Sequence, residues 1–113
     1  MTTDAELKAK IDALRKSFTA GLAARFDELD TALAQIMPGL PLAGQSAPVK
    51  TILEQVHKIA GSAGTFGYSE MSVIASKAEM LCDSILKNQH GDDEDALRKL
   101  RGNVADIRAE AAR

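Results

Sequence analysis

His57 stands in the run Val56-His57-Lys58-Ile59-Ala60-Gly61-Ser62-Ala63-Gly64-Thr65-Phe66-Gly67. The apolar residues around it, Val49, Ile52, Leu53, Val56, Ile59, Ala60, Ala63 and Phe66, recur at helical spacing. At about 100° per residue they span an arc of about 140°, and His57 falls about 40° outside its edge. An imidazole there keeps one ring nitrogen towards protein and the other towards water. A free ring nitrogen is a nucleophile for phosphoryl transfer from an acyl phosphate, given in-line access and neutralised equatorial oxygens. Gly61 and Gly64 lie within about 40° of His57 on the same projection and leave the helix bare there. Each costs roughly 1 kcal/mol of helix propensity relative to alanine, which points to close approach, by another molecule or by a tightly packed neighbouring helix. Lys58, and less directly Lys50, could supply positive charge.

A carboxylate is the natural partner for such a ring. Glu79 lies just beyond the edge of the next apolar stripe, Met71, Ile74, Ala75, Ala78, Leu81, Cys82, Ile85 and Leu86. His57 is ten residues before Gly67 and Glu79 is ten residues after Ser69, so an antiparallel hairpin sets them at one height. Their stripes then either face each other or both point away; helix order and handedness decide. If they face, Glu79 accepts a hydrogen bond from Nδ1–H and leaves Nε2 as the outward lone pair.

The elements that must hold these residues are helices; no segment sustains a strand period. Thr3 and Glu6 form a capping box ahead of Leu7, Ile11, Leu14, Phe18, Leu22, Phe26, Leu29, Leu33 and Ile36. This stretch reads as one long helix or as two joined near Ser17–Gly21. Pro38, Gly39, Pro41 and Gly44 end it. The second helix starts near Ser46 with Pro48 in its first turn and stops at Gly67. Ser69 is the expected cap of the third, and Asn88 to Gly91 a turn that leaves His90 in solvent. Asp92 or Asp93 caps the last helix, whose core residues are Leu97, Leu100, Val104 and Ile107. Short connections make neighbours antiparallel. The expected fold is all-α: an up-and-down four-helix bundle over 18–112 with an N-terminal helical segment, 1–17, in a single domain, 1–113.

Composition narrows the function. The 113 residues carry 14 basic and 16 acidic side chains, a net charge of −2, which argues against binding nucleic acid or a membrane surface. No apolar run is long enough to span a bilayer, and the first residues lack a signal peptide's order. One cysteine, Cys82, rules out an intrachain disulfide and a thiolate metal site. A cytoplasmic, free-standing monomer is expected, with no metal or cofactor of its own.

The run His57-Lys58-Ile59-Ala60-Gly61-Ser62-Ala63-Gly64-Thr65-Phe66-Gly67 resembles the signature of histidine phosphotransfer domains of two-component phosphorelays. The likeness is looser over the Phe18–Leu33 helix and through Ala78-Glu79. It implies that His57 carries the phosphoryl group at Nε2, that Gly61 keeps the surface open, and that Glu79 is the polar partner. It also implies docking to the receiver domain of a response regulator or hybrid histidine kinase, which brings the aspartate and the magnesium. Such a domain is a phosphocarrier without an ATP site, not an enzyme. One departure stands out: many members have lysine three residues after the histidine, where this chain has Ala60, so Lys58 becomes the nearest cation.

Docking is expected around His57, on Leu53, Ala60 and Gly64. A non-transferring adaptor that binds a receiver without using its histidine is the main alternative. A haem or metal bundle would need a second ligand facing His57, and none is evident.

Overall fold

A helix survives where an apolar stripe finds a neighbour to cover it, and four stripes here do so over most of their length. The computed structural model describes residues 3–112. Met1, Thr2 and Arg113, the ends of the domain expected over 1–113, lie outside the described residues. The helices are α1 (Asp4–Gln35), α2 (Ser46–Ala63), α3 (Ser69–Leu86) and α4 (Asp93–Ala111), with no strand among the described residues. The chain is an all-α bundle in which α1 packs on α2, α2 most extensively on α3, and α3 on α4. Arg108 closes the ring, bonded to Asp30 of α1 at 2.8 Å with its guanidinium over the Phe26 ring.

The core consists of the inward residues of each stripe: Leu22, Leu29 and Leu33 of α1, Ile52, Val56 and Ile59 of α2, Met71, Ala75 and Cys82 of α3, Leu100, Val104 and Ile107 of α4. Apart from the His90 ring, no polar or charged side chain is buried among the residues described. The capping box at Thr3 and Glu6 forms as expected, and Asp92 caps α4 by accepting from the Asp95 amide. Gln45 locks the connector before α2: its Oε1 accepts from the Met37 amide at 2.7 Å and its Nε2 donates to the Met37 carbonyl at 3.1 Å. A 3-10 turn, Gly64–Phe66, prolongs α2, and Gly67, at φ 89°, reverses the chain in the left-handed region that glycine enters freely.

Of the two readings of the first helix, the structure has the unbroken one; nothing divides it at Ser17–Gly21. Three details differ from the sequence reading. Ser69 is the first residue of α3 rather than its cap, because Tyr68 takes the cap position without a side-chain bond once its amide has closed the reversal onto Ala63. His90 is turned inward, its side chain 2% exposed. Left-handed Asn88 and Gly91 curl the connector, and the Asp93 carboxylate holds His90 Nε2 while Nδ1 is buried without a partner. Finally, Leu7, Ile11 and Leu14 are not core: they are 52%, 42% and 57% exposed. A helix of 32 residues runs about 48 Å. The tip of the α2–α3 hairpin meets α1 at Phe18, which packs on Phe66 and Tyr68 at 5.3 and 5.8 Å between ring centroids, and at Arg15, whose guanidinium lies against Gly67. The first turns of α1 therefore project beyond the bundle and lengthen the molecule, whose extents are 57 × 22 × 22 Å.

Burial, reinforced by the negative charge of Glu79, pushes the Cys82 thiol from 9.0 up to about 12. A thiol whose pKa is raised by folding stabilises the protein below 9.0, and that contribution is lost as pH climbs from there towards about 12. Native Cys82 should therefore resist alkylation at neutral pH and react once denaturant is added, as intact-mass measurement would record. The fall in thermal midpoint above pH 9 should be shallower in Cys82→Ala than in the parent; equal slopes would contradict the assignment.

Candidate functional site

The α2–α3 hairpin brings His57 and Glu79 face to face. Of the two arrangements left open by the sequence, the structure adopts the facing one: His57 Nδ1 lies 2.8 Å from Glu79 Oε1. A carboxylate only accepts, so Nδ1 carries the hydrogen and Nε2 the lone pair. The imidazole is 72% exposed and the carboxylate 32%, so the ring is held at one nitrogen and open to solvent elsewhere. The register that pairs 57 with 79 also sets Gly64 opposite Ser72, where an added side-chain carbon would sit 3.8 Å from the serine. Ser72 Oγ donates to the Ala60 carbonyl at 2.8 Å. That bond ties the two helices together one turn from the histidine.

Gly61 faces open space; a carbon added there meets nothing within 4 Å. One glycine of the pair thus leaves a bare surface beside His57, while Gly64 adjoins α3. Ala60 and Leu53 are half-buried against the core and line the border of the exposed face.

A hollow of about 600 Å³ opens on the other side of the ring, between the first turns of α2 and the last turns of α3. Lys50, Leu53, Glu54, His57, Ser76, Glu79, Met80 and Asp83 line it. Helical side chains lean towards the helix N-terminus, so His57 leans into this hollow rather than towards the glycines. Lys58 is not among the lining residues; its Nζ pairs with Glu54 at 3.2 Å. Lys50 is the one cation lining the hollow and makes no ion pair among the described residues. Met80 lies outside the docking set expected from the sequence, Leu53, Ala60 and Gly64. It is a large apolar side chain exposed next to Glu79, and its position outside the apolar period of α3 was the available signal.

Among the described residues, no group of three or more His, Cys, Asp or Glu side chains is placed to hold a metal ion, and no helix is long and apolar enough to cross a membrane. No curated protein and no solved structure matches the chain. The family model for the Hpt domain matches residues 13–110, which takes in all of α2, α3 and their connection. With nearly its whole bundle matched, the chain belongs to the Hpt domain family, the histidine phosphotransfer domains of two-component phosphorelays.

Proposed function

We propose that His57 accepts a phosphoryl group at Nε2 from the aspartyl phosphate of a receiver domain and returns it to another. The observation that carries this reading is the exposed imidazole oriented by Glu79 at 2.8 Å. In the transfer the Nε2 lone pair forms the N–P bond as the P–O bond to the aspartate breaks, and the carboxylate leaves with the electron pair. No proton moves. The product ring keeps its Nδ1 hydrogen and is formally positive, and Glu79 stabilises that charge. Magnesium held by the receiver would neutralise the transferring oxygens. Gly61 gives the receiver room to approach, and Leu53, Ala60 and Met80 form the apolar border of a transient interface.

The test is incubation with a receiver domain carrying a labelled aspartyl phosphate. Label should pass to this chain and be stable to alkali and labile to acid, as a phosphoramidate is. Binding of the receiver without transfer would instead assign the chain as an adaptor.

Lys50, rather than Lys58, is the better-placed cation for the phosphorylated ring, since Glu54 holds Lys58. An exposed charge pair is worth up to about 1 kcal/mol, or about fivefold in rate. Transfer to Lys50→Ala should slow by about that factor, whereas Lys58→Ala should change it by less than about twofold. Rapid-quench rates with one receiver decide the order; the opposite ranking would return the role to Lys58.

A further inference from the structure

The projecting turns of α1 present an apolar seam that the bundle does not use. At about 100° per residue, Leu7, Ile11, Leu14, Phe18, Gly21 and Arg25 fall within about 80° of one another. Below Leu14 the seam enters a groove of about 280 Å³ against Phe66, floored by Gly21, where nothing lies within 4 Å of an added carbon. Leu7 to Arg25 covers about 27 Å, a length for five turns of helix. Leu7 and Ile11 lie outside the residues matched by the family, 13–110, so phosphotransfer does not account for them. An unsupported helical end of this length is marginal in water, and three exposed large apolar residues on one face are a binding seam rather than scatter.

Charge identifies the occupant. Lys8 and Arg15 border one edge of the seam and Lys10 the other, and none has an ion pair among the described residues. Arg25, at the foot of the groove, bonds only to the uncharged Gln55, at 3.2 Å. Of the acids, Glu6 is engaged in the capping box, Asp12 lies about 40° beyond Lys8 on the side away from the seam, and Asp4 alone adjoins the seam, in the first turn. A second copy fits poorly. Antiparallel pairing of Leu7 with Ile11 sets Lys8 against Lys8 and Lys10 against Lys10, and parallel pairing brings Lys10 beside Arg15. We propose that this seam is a second docking surface that takes an amphipathic helix of a partner protein, with acidic residues flanking its apolar face. The groove side of α2, marked by Gln55, is opposite the edge that carries His57, so both surfaces can be occupied together.

Two synthetic helices with the same leucine–isoleucine seam, one flanked by glutamates and one by lysines, test this by fluorescence anisotropy. The glutamate peptide should bind, weaken as salt rises, and lose at least about tenfold in affinity for Ile11→Gln/Leu14→Gln. The lysine peptide should not bind. Both replaced residues are exposed, so the double variant should keep its helicity and accept phosphoryl label as the parent does. Equal binding of the two peptides, or of neither, overturns the proposal. So does a dimer in sedimentation that the double variant splits, which would make the occupant a second copy. Adsorption to phosphatidylserine vesicles in preference to the glutamate peptide would give the seam to a lipid surface and equally overturn it.

Discussion

Replacement of His57 by glutamine should reduce label transfer from a phosphorylated receiver to background, a loss of at least about a thousandfold. Glutamine keeps an amide able to reach Glu79, so the α2–α3 contact at this level is largely retained while the nucleophilic nitrogen is gone. The imidazole is 72% exposed and makes one side-chain hydrogen bond, so little stability rests on it. Thermal unfolding should shift by no more than about 0.5 kcal/mol, the usual range for a surface substitution. A His57→Gln protein that took label at the parent rate would place the acceptor elsewhere; His90 is the other histidine, and its buried ring offers no approach.

Gly61→Gln should separate access from folding. The position faces open space, and an added Cβ there meets nothing within 4 Å in the free protein. Glutamine also has the better helix propensity, by up to about 1 kcal/mol, and the variant should unfold a few degrees higher than the parent. Transfer should nevertheless fall by about a hundredfold, because a receiver held off by even an ångström loses the in-line geometry. Calorimetry and rapid-quench transfer on the same preparation check both halves. A more stable variant that transfers normally would show that nothing approaches the helix backbone at Gly61.

The two substitutions draw on different kinds of information. That His57 sits at the margin of an apolar stripe, one helical turn before a glycine, is visible in the sequence because a helix of fixed period assigns every side chain an angle. The match in level between His57 and Glu79 is visible for the same reason, since Gly67 marks where the chain reverses. The occupation of Lys58 by Glu54 was also available as an i,i+4 pair, although the choice of Lys50 over Lys58 needed the hollow between α2 and α3.

By itself the sequence determined the helical segments, the apolar stripe of each and the residues that could do chemistry, because periodicity, caps and glycines act locally along the chain. Tertiary structure alone decided three things. It set Glu79 towards His57 rather than away, since helix order around the bundle is not written in any one stripe. It turned His90 inward, through a connector whose left-handed residues fold it back on Asp93. And it left Leu7, Ile11 and Leu14 uncovered: their spacing is the same as that of Leu22 and Leu29, but a stripe becomes core only where a neighbouring helix is long enough to reach it, and the α2–α3 hairpin ends at Phe18.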